Sequence, residues 1–297
     1  MAQPGAASGG GTAIFVNYGA GSAGSERTRR TVELARRLLS ADVHTTATRD
    51  PETLAVWMRE HLDGYSRVVI AGGDGSLGVG YNVLVGREVD IGYIPAGFGN
   101  ATAHLLRLPR DPGALAEVLL RGDARPIDLV EVDGRLALFA GAGWDALVAG
   151  RYAASGARRT IGWATAVARS LGDLVNRPQA TVIADGAIVH EGPMTMLVAG
   201  TTPWFGRGLL VNPGASATDG RLTLRVYGGP LPAFALETAR WVTRRSPAAR
   251  PVSATRVEVI ATPPAQLPLQ ADGDLLGVAE RWELHIRPAA ARLIGNW

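Results

Sequence analysis

Few folds accommodate the glycine-rich segment at residues 68–76, which reads VVIAGGDGS. Its first four residues are apolar enough for a buried strand, and apolar residues then recur at helical spacing from about Ser76. Because glycine lacks a Cβ, the backbone of such a turn can approach a ligand closely. A helix that begins here also offers free N–H groups and a positive dipole end, which suits a phosphate. An ordinary turn with Ser76 as helix cap explains the same segment without a ligand.

Two further loops have the same form. The loop AGFGN at 96–100 follows an apolar strand, and NYGAG at 17–21 follows the apolar strand 13–16. The carboxyl ends of parallel strands lie along one edge of a sheet, where open α/β folds bind their ligands. Three such loops predict a cradle for the phosphates of a nucleotide. Asn100 also has an ordinary explanation, as the N-cap of the following helix.

Strands and helices alternate through the first part of the chain, which is typical of a parallel sheet covered by helices. From about Arg125 the pattern changes to strands joined by short turns, interrupted by helical stretches near 159–175 and 231–244. We therefore expect a disordered leader at 1–12, an α/β domain at 13–125 and a mainly antiparallel β domain at 126–297. The sequence leaves open whether the extreme C-terminus returns to the first domain.

Composition excludes several classes of site. The chain has no cysteine, which removes disulfides and thiolate chemistry, and its five histidines lack metal-ligand spacing. All 30 basic residues are arginine, so a P-loop lysine is excluded. No dense basic stripe or nucleic-acid-binding motif is present. The first residues lack the features of a signal peptide, and we expect a cytoplasmic protein.

The glycine-rich loops and several downstream segments together resemble the catalytic domain of the diacylglycerol kinase family, which includes soluble bacterial lipid kinases, sphingosine kinases and ceramide kinases. GGDGS at 72–76 resembles the family's GGDGT signature, NYGAG its N-P-x-[SA]-G opening, and IPAGFGN at 94–100 its P-x-G-[ST]-x-N loop. Downstream matches are PIDL at 126–129, GWDA at 143–146, GRG at 206–208, PGA at 213–215, TDGRL at 218–222 and ADGD at 271–274. The match is collinear from about residue 13 to 286.

The resemblance implies a Rossmann-like α/β nucleotide-binding domain, a β-sandwich-like second domain and an active site in the cleft between them. It implies ATP- and Mg²⁺-dependent transfer of phosphate to the hydroxyl group of a lipid alcohol, either diacylglycerol or a sphingosine- or ceramide-like lipid. Such an enzyme would be a cytoplasmic protein peripheral at the membrane. Relatives often pair, so a homodimer is left open.

The resemblance also implies roles for particular residues. Asp74 would position the ATP phosphates or their Mg²⁺, Asp274 would accept the proton of the lipid hydroxyl, and Asp219 would belong to a metal or water network. The nucleotide-binding residues implied are Asn17, Gly21, Gly72, Gly73, Gly75, Ser76, Gly97, Gly99 and Asn100. Asp219-Gly220 and Asp272-Gly273 are equally good turn pairs without any function.

Three positions depart from the family pattern and keep other functions open. Asp274 replaces a glutamate, Thr218 an aspartate, and Ala101 the aspartate of many diacylglycerol kinases. A catalytically silent nucleotide- or lipid-binding homologue and a kinase of a lipid-like specialised metabolite are the alternatives. NAD kinases share the GGDG turn but add an Asn-Glu motif, which ATAH at 101–104 lacks.

The aromatic pair Trp204-Phe205 lies in a loop rich in proline and glycine. Exposed aromatic side chains in such a loop suit a membrane interface, and the arginines between 151 and 169 suit anionic lipid. A helix that packs on the sheet with solvated arginines opposite explains those arginines without a membrane.

Overall fold

The computed structural model describes residues 10–155, 159–175 and 177–297. Most of the leader expected at 1–12, and Arg158 among the arginines discussed above, lie outside these ranges. The contacts of the chain separate two compact units, the first comprising residues 10–126 and 290–297 and the second Ile127–Ala289.

The first unit is built on parallel strands with helices between them. Its strands are β1 (Gly11–Asn17), β2 (Asp42–Thr46), β3 (Tyr65–Gly72) and β4 (Asp90–Pro95). Its helices are α1 (Glu26–Leu39), α2 (Pro51–Glu60), α3 (Asp74–Leu84), α4 (Ala101–Leu105) and α5 (Pro112–Arg121). The strand order is β2-β1-β3-β4, and Arg292 and Leu293 add a parallel segment beside β4. Buried Ile14, Val69 and Leu119 belong to the core between sheet and helices.

Side chains cap the N-termini of three of these helices. Ser25 accepts the N–H of Thr28 in α1, while Asp50 and Asp111 cap α2 and α5. Helix α3 differs, because its N-cap is Gly73, which has no side chain to make the bond. Its first N–H groups therefore lack the side-chain partner that the other helices have.

The second unit contains two large antiparallel sheets and the two-stranded antiparallel pair of β11 and β12. Its strands begin with β5 (Asp123–Val132), which enters from the first unit, and continue with β6 (Arg135–Ala137), β7 (Phe139–Gly143), β8 (Gln179–Ala184), β9 (Ala187–Pro193), β10 (Met196–Gly200), β11 (Trp204–Phe205), β12 (Leu209–Leu210), β13 (Leu222–Tyr227), β14 (Val252–Ala254), β15 (Arg256–Ala261), β16 (Leu267–Ala271), β17 (Asp274–Ala279) and β18 (Arg281–Gly295). Its helices are α6 (Trp144–Ala154), α7 (Arg159–Ser170) and α8 (Leu231–Val242). Among the described residues, none of the helices combines the length and apolar character that crossing a bilayer requires.

One sheet has the order β14-β13-β10-β7-β16-β17, and the first part of β18 pairs with β15, β8 and β9 in the other. Leu197, Leu224 and Leu269 of the first sheet share one buried core with Val182 and Val259 of the second. Two sheets packed over one core form a sandwich. The predicted fold class, a parallel α/β domain followed by an antiparallel β domain, is confirmed.

The elements α6, β16 and β17 are among those that go beyond the sequence-based prediction. The buried residues of α6 include Ala146 and Val148, whose spacing is not that of a helical stripe. Leu267–Ala271 is buried at every position, so it shows no alternation. Periodicity alone does not identify such segments.

Candidate active site

The three glycine-rich loops leave the same edge of the first unit's sheet. Val16 of β1 pairs with Ala71 of β3, and Gly72 pairs with Pro95 of β4. Since all three strands are parallel, their carboxyl ends and the loops that follow lie side by side. The structure thus brings together the segments at 17–22, 72–76 and 96–100.

Asn17 joins the first loop to the start of α3. Its amide Nδ2 donates to Ser76 Oγ at 3.1 Å, and both residues are buried. Its Oδ1 accepts the N–H groups of Gly19 at 2.9 Å and Thr48 at 3.2 Å. Asn17 therefore holds three chain segments in fixed positions through one buried amide.

Ala96 joins the remaining loops. Its N–H donates to the carbonyl oxygen of Gly72 at 2.7 Å, and its own carbonyl accepts both the N–H and the hydroxyl of Ser22 at 2.8 and 2.9 Å. The backbones of the two glycine loops meet, because a Cβ at position 97 would lie 2.6 Å from the Cα of Gly73. Only glycine at position 97 permits this approach.

Asn100 binds its own loop and does not cap α4 with its side chain. Its Oδ1 accepts the N–H of Gly97 at 2.9 Å and the hydroxyl of Tyr93 at 3.2 Å, while Nδ2 donates to the carbonyl of Gly97 at 3.1 Å. Its backbone is left-handed, with φ 48°. Asn100 therefore occupies the N-cap position of α4, as the sequence indicates, but its side chain makes no capping bond because the loop engages it.

Asp74 caps α4 instead, from another loop. Its Oδ2 accepts the N–H of Ala101 at 3.1 Å, and its Oδ1 accepts the N–H and hydroxyl of Thr102 at 3.2 and 3.1 Å. Burial raises the pKa of Asp74 above its ordinary value, and these hydrogen bonds oppose the rise. The carboxylate thus fixes the first turn of α4 against the first turn of α3.

The remaining glycines that the sequence predicts to bind nucleotide lie in or beside these loops. Gly75 is in the first turn of α3 and Gly99 in the turn before Asn100, both half-buried. Gly21 is exposed, and a Cβ there would meet no atom within 4 Å. The first turn of α3 lacks a side-chain cap and adjoins backbone that only glycine permits, so it can receive an anion.

In the second unit, Asp274 begins β17 and forms an ion pair. Its Oδ2 accepts a hydrogen bond from the guanidinium of Arg135 at 2.6 Å, with 41% of the Asp274 side chain exposed. Arg135 places a positive charge beside this carboxyl group, whose other oxygen, Oδ1, has no hydrogen bond among the described residues. The sequence analysis does not identify Arg135, since 139 residues separate the partners.

Hydrogen bonds of the buried Gln270 side chain hold the turn before Asp274 in place. Gln270 accepts the N–H of Gly273 at 2.7 Å and donates to Asp145 Oδ2 at 3.0 Å. Burial raises the pKa of Asp145 to about 6, although the Gln270 hydrogen bond acts to lower it. Asp272 accepts the N–H groups of Leu138 and Phe139 and fixes the other side of the turn. In the sequence analysis Asp145 appears only as part of the GWDA motif, and no sequence pattern indicates a role for Gln270.

Asp219 lies on an exposed turn, where its Oδ1 accepts the N–H of Arg221 at 3.0 Å. The adjacent Gly220 donates its N–H to buried Asp128 at 2.7 Å, and Asp128 also accepts the N–H of Ala289 at 2.9 Å. Asp128 thus anchors the turn that presents Asp219. Across residues 10–155, 159–175 and 177–297, no three acidic or histidine side chains cluster closely enough to hold a metal ion.

The aromatic pair Trp204-Phe205 is half-buried. The ring of Phe205 stacks on Phe139 with centroids 4.1 Å apart, and the Arg244 guanidinium lies 5.4 Å from the ring centre of Trp204. A membrane contact by this pair remains a prediction.

Comparison with known families accounts for both units. A model of the diacylglycerol kinase catalytic domain matches residues 12–132, and a model of the YegS C-terminal NAD kinase beta sandwich-like domain matches residues 139–295. The chain belongs to the diacylglycerol kinase catalytic-domain family. The resemblance drawn from the loop motifs is confirmed.

Relatives in this family carry names consistent with it. A Mycobacterium tuberculosis protein named diacylglycerol kinase is 32% identical over 171 residues, which are 54% of each chain. The chain thus spans about half the length of the curated relatives it matches. Two crystal structures from Bacillus anthracis str. Sterne, the second described as a diacylglycerol kinase, have TM-scores of 0.76 and 0.72 at 18% and 15% identity. Each comparison covers 96% of this chain and 97% of the other, and it shows the shared fold.

Proposed function

We propose that this protein is an ATP-dependent lipid kinase that phosphorylates the hydroxyl group of a lipid alcohol, such as diacylglycerol or a sphingosine- or ceramide-like lipid. The observation that carries the proposal is the set of joined loops beside the uncapped first turn of α3. Membership of the diacylglycerol kinase family and the names of the relatives support a lipid acceptor. In this proposal the first unit binds the nucleotide, the second binds the lipid, and the enzyme works in the cytoplasm at a membrane surface.

The loops fit the phosphates of ATP. The first turn of α3 presents the N–H groups of Asp74, Gly75 and Ser76. Its N-cap residue, Gly73, has no side chain that could cap them. The approach of Gly97 to Gly73 keeps side chains out of the adjacent space. Backbone N–H groups at a helix start stabilise phosphate charge without lysine, which this chain lacks.

Mg²⁺ would enter the proposed site bound to the phosphates of ATP. The described residues form no cage of three ligands, but the Asp74 carboxylate lies in the first turn of α3, next to the proposed phosphate position. Asp219 is an exposed carboxylate of the second unit, and its part in holding the metal stays a prediction. Mg²⁺ in such sites is held by one or two carboxylates plus substrate phosphates, and it neutralises phosphate charge.

Asp274 is the proposed proton acceptor. As the lipid hydroxyl oxygen forms a bond to the γ-phosphorus, the bond from that phosphorus to the β,γ-bridging oxygen breaks and ADP leaves with the electron pair. The hydroxyl proton passes to Asp274 Oδ1, while Arg135 holds Oδ2 and orients the carboxylate. Aspartate is a sufficient base if the proton moves late in the transfer.

The test is transfer of labelled phosphate into an organic phase. Purified protein receives Mg²⁺, labelled ATP and mixed micelles of diacylglycerol, sphingosine, ceramide or monoacylglycerol. We expect label in one lipid and a loss of at least about 100-fold in Asp74→Asn. Asp111→Asn is the matched control, because Asp111 also caps a helix of the first unit.

Each alternative has its own outcome. ATP binding without transfer to any lipid would favour a silent homologue. Transfer to NAD in a parallel reaction would identify an NAD kinase. Equal loss in Asp74→Asn and Asp111→Asn would mean that Asp74 acts through stability alone.

A further inference from the structure

Helix α8 exposes apolar residues along its outer side. Leu231, Leu236 and Val242 are 48%, 56% and 69% exposed. Ala235 and Ala239, which lie between them on the same side at helical spacing, are also exposed. An exposed apolar strip of this length is uncommon on a soluble protein and indicates an interaction site.

The opposite side of α8 packs against the rest of the second unit. Phe234, Glu237 and Trp241, spaced three and four residues apart, are buried. Phe234 and Trp241 pack with Tyr227 of β13 in an aromatic cluster. The helix is therefore stabilised by its inner side, and its outer apolar strip is not needed for that packing.

The charges around this strip are basic. Arg244, Arg245 and Arg250 follow the end of α8 and are exposed. Between residues 231 and 250 the only acidic residue is Glu237, and its buried carboxylate accepts the N–H of Ala248 at 3.0 Å. We define the α8 surface by its exposed members: Leu231, Ala235, Leu236, Ala239, Val242, Arg244, Arg245 and Arg250.

We propose that the α8 surface docks on an anionic lipid bilayer, with its apolar strip at the headgroup boundary and its arginines on lipid phosphates. This inference rests on the proposed function, and it names the face that meets the membrane. A helix with an apolar strip and a basic end suits such an interface. A second copy of the same face would set its own arginines against these and bring no opposite charge, whereas anionic lipid supplies that charge.

The test is flotation of the whole 297-residue chain with vesicles, without ATP. We expect the protein to float with phosphatidylcholine–phosphatidylglycerol vesicles, to bind phosphatidylcholine vesicles more weakly, and to dissociate as salt is raised. Val242→Glu should lower the vesicle-bound fraction by about tenfold or more, because it places a charge in the apolar strip. Arg245→Gln with Arg250→Gln should lower binding to anionic vesicles alone.

Ile188→Glu is the matched control, since Ile188 is a β-branched residue of the same unit with 63% exposure. It should float as the wild type does. Equal flotation of wild type, Val242→Glu and Leu236→Glu would overturn the proposal, as would no flotation of the wild type. Thermal unfolding of each variant shows whether it has lost its fold. Val242→Glu is the decisive variant, because the Val242 side chain is more exposed than that of Leu236.

Two further measurements separate the remaining outcomes. If light scattering finds a wild-type dimer that Val242→Glu dissociates, the face joins two copies and the proposal fails. If Val242→Glu loses transfer to vesicle-embedded diacylglycerol but keeps it with a short-chain, dissolved diacylglycerol, the docking proposal is supported. If the wild type transfers phosphate to no acceptor while flotation still depends on α8, the kinase function fails and the docking surface stands.

Discussion

Asp145 is a carboxyl group whose surroundings favour the protonated form. One oxygen accepts from Gln270, but Oδ1 is buried without a hydrogen bond of ordinary geometry. Such a group costs stability when ionised. Asp274, by contrast, has Arg135 as a cationic partner and keeps part of its surface in solvent. Two carboxylates near the same turn are therefore suited to different roles.

Asp145→Asn should stabilise the protein above pH 6 and have little effect near pH 4. With a pKa of about 6 in the folded state and 3.8 as its ordinary value, Asp145 binds a proton more tightly when folded. Its ionisation therefore lowers the free energy of unfolding as pH rises from about 4 to about 6, and the penalty is constant above that range. We expect a gain of about 1–3 kcal/mol at pH 8, measured by urea unfolding at both pH values.

Asp219→Asn is the control for this pH dependence, because Asp219 is exposed. It should change stability little at either pH. A gain from Asp145→Asn of the same size at pH 4 and pH 8 would contradict the assignment.

Asp274→Asn should lower kcat by at least about 100-fold, since a positioned base contributes at least that much to proton transfer. Asp274→Glu should retain activity, because its carboxylate can still reach Arg135 and accept the proton. Asp173→Asn is the control, as Asp173 forms an ion pair with Arg151 in the same unit. Steady-state kinetics with the identified lipid checks all three, and wild-type kcat in Asp274→Asn would place the base elsewhere.

At the scale of elements, α3 and α4 depend on each other. A five-residue helix such as α4 is unstable alone, and Asp74 at the start of α3 supplies the hydrogen bonds that its first turn needs. The loops before the two helices meet at Gly73 and Gly97. The candidate nucleotide site is thus one hydrogen-bonded assembly in which each loop restrains its neighbour.

Gly97→Ala should disturb this assembly. Its Cβ would lie 2.6 Å from the Gly73 Cα, so the loops must separate. We expect a loss of about 1–3 kcal/mol in stability, as for other overpacked sites, and at least about tenfold weaker binding of an ATP analogue. Calorimetric titration and thermal unfolding measure the two effects.

Gly24→Ala is the matched change, because a Cβ at that position meets no atom within 4 Å. It should alter stability by less than about 0.5 kcal/mol. Nucleotide affinity unchanged in Gly97→Ala would show that the approach of the two loops is not required for binding.

At the scale of the whole molecule, the chain returns to its first unit at the end. Residues 290–297 belong to that unit, where Arg292 and Leu293 pair with β4 and Arg292 bonds Asp90 at 2.8 Å. Leu293 and Ile294 are fully buried. The first unit therefore contains residues from both ends of the sequence.

Leu293→Ala should destabilise the first unit by about 2–4 kcal/mol, because it leaves a cavity beside the sheet. Leu38→Ala is the control, since Leu38 lies on α1 of the same unit and is 42% exposed. Urea unfolding compares them, and equal destabilisation would contradict the packing described for the C-terminal residues.

The sequence by itself determined the alternation of strands and helices in the first unit, the change from an α/β to an antiparallel pattern, and the loops that form the candidate site. These features follow from local requirements: glycine where backbones approach, apolar runs where strands are buried, and periodicity where one face is covered. The family motifs could be identified for the same reason, because each is a short contiguous segment.

Only the tertiary structure decided which side chains meet. It assigned the cap of α4 to Asp74 and directed Asn100 to its own loop. It also paired Arg135 with Asp274 and Arg292 with Asp90, which are 139 and 202 residues apart. Hydrogen bonds and ion pairs between distant segments depend on the path of the whole chain, and no local pattern encodes them.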